Sequence, residues 1–128
     1  MARKIVHSDD APKAIGPYSQ AVQVDAGKMT FLSGQIPLDP KTMEMVQGDV
    51  VAQAEQVMKN LGAVLKAAGL DFSHVVRSTI FLTDLADFAR VNEVYGRYFT
   101  GQPPARVTVQ VSALPRGSKV EIDAIAVS

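Results

Sequence analysis

Arg106 and Glu121 are the residues of this sequence best equipped for chemistry, because each is a charge set into an apolar, strand-like segment. The first segment reads Pro104-Ala105-Arg106-Val107-Thr108-Val109-Gln110-Val111 and the second Val120-Glu121-Ile122. A strand alternates its faces, which sets Arg106, Thr108 and Gln110 against Val107, Val109 and Val111. Lys119, Glu121 and Asp123 are likewise set against Val120, Ile122, Ala124 and Ala126. An unpaired charge is costly to bury, so such residues need partners. A guanidinium fork with a carboxylate nearby is a ready anchor for a small carboxylate-bearing ligand. A pair of ordinary solvated charges on an open antiparallel face is the competing reading.

The other candidates say less one at a time. Tyr18 reads as a half-buried packing residue whose hydroxyl needs a partner if buried, and Asn92 as a hydrogen-bonding group between apolar helical turns. His7 and His74 lack metal-ligand spacing and read as surface or hydrogen-bonded residues, so no metal is expected. Gly27-Lys28 is a turn rather than a phosphate loop, and the glycines form no dinucleotide fingerprint. Ser19, Ser33 and Ser78 stand in no nucleophile elbow. The chain has no cysteine, hence no disulfide, thiol nucleophile or thiolate metal site. Residue chemistry alone reaches a carboxylate-ligand site and names no reaction.

Positioning these residues falls to a short series of elements. Val22 and Val24, then Met29-Thr30-Phe31-Leu32-Ser33, predict a hairpin over residues 20–34 that turns at Asp25-Ala26-Gly27-Lys28. Asp49 is the predicted N-cap of a helix running to about residue 68. Its apolar stripe is Val50, Ala54, Val57, Met58, Leu61, Val64, Leu65 and Ala68, with Gly69 as a left-handed cap. The β-branched run Val75 to Thr83 predicts a strand. Asp84 opens a second helix that buries Leu85, Phe88, Val91, Tyr95 and Tyr98 or Phe99 and stops at Gly101-Gln102-Pro103-Pro104. The two charged strands follow. Helices over one face of such a sheet make a two-layer α+β domain. On this reading the other face carries Arg106, Thr108, Gln110, Glu121 and Asp123, and meets either water or another copy.

Residues 1–128 are read as a single domain with room for a core, and 47% hydrophobic with 20% charged residues fit a soluble globular protein. The 13 basic and 13 acidic residues cancel, and no basic stripe is present, so no nucleic-acid partner is expected. No apolar run of about 18 residues is present to span a membrane. The charged start of the chain has no hydrophobic stretch behind it, which argues against a secretory signal. A cytoplasmic location is the expectation.

Four segments, in order and spacing, resemble the Rid (reactive intermediate deaminase) family in its RidA-type members, across essentially the whole chain. They are Gly16-Pro17-Tyr18-Ser19-Gln20, Ser33-Gly34-Gln35-Ile36-Pro37, Val91-Asn92-Glu93-Val94-Tyr95, and Pro104-Ala105-Arg106 with Val120-Glu121-Ile122 and Ala124-Ile125-Ala126-Val127. The resemblance implies a chorismate-mutase-like α+β fold, a six-stranded mixed sheet with two helices on one face, assembled as a homotrimer with sites between subunits. It also implies cofactor-independent hydrolysis of 2-imino acids, released by pyridoxal-phosphate dehydratases, to 2-oxo acids and ammonia. By that resemblance Arg106 clamps the substrate carboxylate and Glu121 positions and helps deprotonate water. Tyr18 bonds within the pocket, Ser33 and Gly34 line it, Asn92 supports it, and Thr108 contributes chiefly its backbone.

Thr108 stands where many bacterial relatives have cysteine, and Pro103 where the family varies, so thiol-based regulation is not expected and the rim can differ. The alternatives are a non-catalytic trimer that binds small carboxylates or acts as a chaperone-like module, and a ribonuclease or translation inhibitor. Balanced charge and the lack of a histidine pair for acid–base cleavage weigh against the last.

Overall fold

A computed structural model describes residues 3–25 and 27–128. Its strands are β1 (Arg3–Val6), β2 (Ala21–Val24), β3 (Met29–Gln35), β4 (Val75–Leu82), β5 (Ala105–Gln110) and β6 (Val120–Val127); its helices are α1 (Val50–Ala67) and α2 (Phe88–Arg97).

Both ends of α1 follow from local chemistry. The Asp49 carboxylate accepts hydrogen bonds from the N–H groups of Val51 and Ala52, each at 3.1 Å, a cap whose loss costs about 1 kcal/mol. At the other end Gly69 takes a φ of +76°. There Leu70 N–H reaches Leu65 O at 2.8 Å and Gly69 N–H reaches Lys66 O at 2.9 Å, the pairing that ends a helix through a left-handed residue. Val50, Ala54, Val57, Met58, Leu61 and Leu65 are buried as the spacing predicts, but Val64 and the C-cap residue Ala68 are exposed. The buried polar member of the helix is Gln53, whose Oε1 accepts from Lys119 N–H at 2.8 Å and fixes the start of β6.

Asp84 caps a short 3-10 turn, Leu85–Asp87, that leads into α2. Both helices pack on one face of a four-stranded sheet ordered β3-β6-β4-β5, in which β6 runs antiparallel to both neighbours and β5 parallel to β4. Ile80, Leu82, Val120, Ile122 and Ala126 close the core against the helices, each large apolar side chain adding about 1.5–3 kcal/mol by burial.

The two-layer α+β architecture and the mixed sheet match expectation, with three corrections. First, the six strands form two sheets, because β1 and β2 pair as a separate antiparallel ribbon. Second, residues 20–34 are not a hairpin. β2 pairs with β1, from Arg3↔Val24 to Val6↔Ala21, while β3 pairs with β6; of the expected turn, Ala26 lies outside the described residues. The ribbon is anchored by Arg3, which donates to the carbonyls of Ser73 at 2.6 Å, Val75 at 2.9 Å and Gln102 at 2.9 Å. These partners are too distant in sequence for a local reading. Third, the open face of the sheet does not carry Arg106. Parallel pairing sets Arg106 beside Ser78, Thr108 beside Ile80 and Gln110 beside Leu82, and Ser78, Ile80 and Leu82 are buried under the helices. Val107 and Val109 therefore share the open face with Phe81 and Glu121. β5 is an edge strand, so its helix-side residues border α2 instead of the core's centre.

Candidate functional site

Arg106 rises from β5 beside α2, and α2 meets it with Phe88, Asn92 and Tyr95, spaced to line up along one helical face. Arg106 Nη1 donates to Asn92 Oδ1 at 2.5 Å. The guanidinium carbon lies 5.1 Å from the Tyr95 ring centre, 5.3 Å from Tyr18 and 5.5 Å from Phe88, within the range of cation–π attraction. Burial pulls the Arg106 pKa below its ordinary value, against the opposing influence of Tyr95 and Tyr18. An arginine starts so high that it stays charged.

The turn bearing Tyr18 is fixed from several directions. Tyr18 N–H donates to Gly16 O at 2.8 Å, and Ile15 N–H donates to the Tyr18 hydroxyl at 3.3 Å. Ser19 donates through Oγ to Pro103 O at 2.5 Å and through N–H to Pro104 O at 3.1 Å, which ties the turn to the start of β5. Gly16 lies so close that a Cβ there would meet Asn92 Nδ2 at 3.3 Å and Arg106 Nη2 at 3.7 Å. The result is a cleft of about 500 Å³ lined by Ile15, Gly16, Tyr18, Leu85, Phe88, Asn92, Arg106 and Thr108. Its lining is mostly apolar around one cation, a surface suited to a small anion with an apolar body. The Thr108 hydroxyl oxygen is buried there and has no hydrogen-bond partner among the described residues.

Glu121 is elsewhere. It lies on the open face, half-buried, with its carboxylate across Gly34, where an added Cβ would come within 2.1 Å of Glu121 Oε2. Gly34 follows Ser33 inside an irregularity of the β3–β6 ladder between Leu32 and Gln35, the kind of bulge that re-aims a strand. Phe31, in the same strand, is 70% exposed, and Val107 across the face is 39% exposed.

The structure thus brings Tyr18, Asn92, Arg106 and Thr108 together, and separately Gly34 and Glu121 with the neighbouring Ser33. It does not bring the two groups together within one chain. His7 pairs with Asp9 and His74 with Asp71 on the surface, as the spacing suggested. Sequence reading missed the rings. Their periodicity places Phe88 and Tyr95 in helix packing, although their spacing from Asn92 is a usable signal. It also missed Gln110, whose Oε1 accepts from Leu85 N–H at 2.8 Å and steadies that wall of the cleft.

A sequence model of the family described as Endoribonuclease L-PSP matches residues 8–128. The chain is 90% identical over 128 residues to Protein DfrA of Myxococcus xanthus, covering 100% of this chain and 98% of that relative. It is 57% identical over 125 residues to the 2-iminobutanoate/2-iminopropanoate deaminase of Mus musculus, covering 98% of this chain and 91% of the relative. Among solved structures, E. coli TdcF with bound serine aligns with a TM-score of 0.76 at 47% identity, covering 98% of each chain.

Proposed function

Because this chain belongs to the Endoribonuclease L-PSP family, which is the Rid family, we propose that it hydrolyses reactive 2-imino acids to 2-oxo acids and ammonia. The observation that carries the proposal is Arg106: half-buried, walled by aromatic rings, and bonded among the described residues through Nη1 alone, to Asn92. The remaining N–H groups are free to grip a carboxylate in two parallel hydrogen bonds. The relative solved with serine holds a ligand with that group. Tyr18 and Asn92 keep the arginine in place, and the Thr108 backbone and the Ser33–Gly34 segment border the substrate.

Chemistry follows from position. With the carboxylate clamped, the iminium carbon is held where water can reach it. Glu121 accepts a proton as the water oxygen bonds to that carbon, giving a tetrahedral amino alcohol. Returned to nitrogen, that proton makes ammonia the leaving group; as the C–N bond breaks, Glu121 takes the hydroxyl proton, the carbonyl forms and ammonia departs, carrying that proton away as ammonium. The iminium is already strongly electrophilic, so a carboxylate base suffices, and no cofactor takes part in the proposal.

Arg106 and Glu121 lie on opposite faces of one sheet, so a working site needs two copies, one giving the aromatic cleft and the next its open face. These are different surfaces, and such head-to-tail contacts close into a ring; we take that ring to be a homotrimer in the cytoplasm. The same separation favours a second reading, a trimer that binds small carboxylates without catalysis, because the arginine clamp is complete within one chain and Glu121 lies apart from it. The family description names a ribonuclease, but 13 basic residues balanced by 13 acidic ones and two histidines paired in separate surface contacts suit RNA cleavage poorly.

The test couples a pyridoxal-phosphate threonine dehydratase to this protein, with semicarbazide trapping free imine. Restored 2-oxobutanoate yield with wild type and not with Arg106→Ala supports the deaminase. No rescue by wild type, with assembly intact, favours the binding reading.

A further inference from the structure

Tyr95 is 1% exposed and Ser78 2% exposed, yet neither is needed simply to fill the core, since both carry hydroxyls that must be satisfied there. They satisfy each other: Ser78 Oγ and Tyr95 Oη are 2.6 Å apart. Ser78 is also the residue of β4 in register with Arg106 on β5. The contacts therefore form a closed circuit through three elements. Arg106 leads to Ser78 across the ladder, Ser78 to the Tyr95 hydroxyl on α2, and the Tyr95 ring returns to the guanidinium at 5.1 Å. Of the three rings around Arg106, this one is the closest, and its hydroxyl is bonded to the sheet.

We propose that Tyr95 and Ser78 are positioning residues for carboxylate recognition, a buried brace that sets the plane of the Arg106 guanidinium. This rests on the reading of Arg106 as the carboxylate anchor. Asn92 holds one nitrogen and so fixes a point, but a guanidinium bonded at one point can still swing. A ring against the guanidinium, its far end pinned to β4 through its hydroxyl so that it cannot swing away, removes that freedom. Two parallel bonds to a carboxylate need this plane fixed in advance, and a fork held ready loses less freedom on binding. Burial pushes the Tyr95 phenol up to about 12, which keeps it neutral, so the brace neither gives up a proton in the reaction nor neutralises the arginine.

The test measures 2-oxobutanoate and its uncharged analogue 2-oxobutanamide binding to the assembled protein by calorimetry, for wild type, Tyr95→Leu, Tyr95→Phe, Ser78→Ala and Arg106→Ala. Tyr95→Leu removes the ring and should weaken 2-oxobutanoate roughly tenfold while leaving the amide's affinity unchanged. Tyr95→Phe and Ser78→Ala retain the ring but free it, and should each lose roughly threefold in carboxylate affinity alone. A general loss of structure would lower both ligands together, and that result would overturn the proposal. So would wild-type carboxylate affinity in Tyr95→Leu. If Tyr95→Leu does not fold, the two milder variants decide by the same criterion, unchanged preference for carboxylate over amide being the contrary result. Arg106→Ala separates the levels. If it abolishes 2-oxobutanoate binding while the brace variants do nothing, the anchor stands and the brace falls. If it binds as wild type does, both fall.

Discussion

On the helix-covered face of the four-stranded sheet, Ile80, Leu82, Val120 and Ile122 are at most 1% exposed, while on the opposite face Phe31 is 70% exposed and Val107 39%. The covered face carries Arg106 with its hydrogen-bond partner and its rings already in place. The open face carries Glu121, seated against Gly34, amid apolar side chains that nothing among the described residues covers. The contrast is between a finished ligand clamp and an unfinished one-sided surface. Exposed apolar residues around a carboxylate are what an interface with a functional group at its centre looks like before its partner arrives. In the proposed deaminase the covered face binds and the open face reacts, each in a different copy.

That division can be broken at several points. The largest effect is expected at Glu121. Glu121→Gln should lower kcat roughly 100- to 10,000-fold, the range for losing an acid–base group, while calorimetry finds 2-oxobutanoate affinity retained. Lost binding would make Glu121 part of the clamp instead. Arg106→Ala should reduce kcat/KM by roughly 100-fold or more, since it removes two charge-assisted hydrogen bonds. Light scattering should show its assembly unchanged, because Arg106 faces α2. Phe31→Asp should do the reverse, shifting the protein toward smaller species with activity falling roughly tenfold in step with the assembled fraction. An unchanged mass would remove β3 from the interface.

The smallest and sharpest effect is expected at Gly34. A Cβ there meets the flexible end of Glu121, so Gly34→Ala should leave the thermal midpoint nearly unchanged. It should still cost several-fold in kcat by moving the carboxylate. Paired stability and rate measurements separate the two; loss of stability without loss of rate would contradict it.

The sequence disclosed some of this and hid the rest for identifiable reasons. The limits of α1 were legible because Asp49 and Gly69 act locally. The pairing of Tyr18 and Asn92 with Arg106 came from family resemblance and not from spacing, since the three reach the cleft from a loop, a helix and a strand. Alternation showed correctly that Arg106 and Thr108 share a face, but not which face the helices cover. That depends on the parallel register of β5 with β4, a non-local fact. The valines of β5 looked like core and instead face outward. β1 escaped notice because four residues alone carry little pattern, and its hold comes from Arg3 reaching carbonyls around residues 73–75 and 102.

The central claim is that one working site takes its arginine from one copy and its glutamate from the next. The direct test is to unfold Arg106→Ala and Glu121→Gln together in equal amounts, refold them as mixed assemblies, and assay imine hydrolysis. Each variant alone is nearly inactive. With random mixing in a head-to-tail ring, about one interface in four joins an intact arginine to an intact glutamate. The account therefore predicts recovery of about a quarter of wild-type activity. Activity no greater than the average of the two variants, in assemblies shown to be mixed, would mean that both residues serve the same site from one chain, and would contradict it.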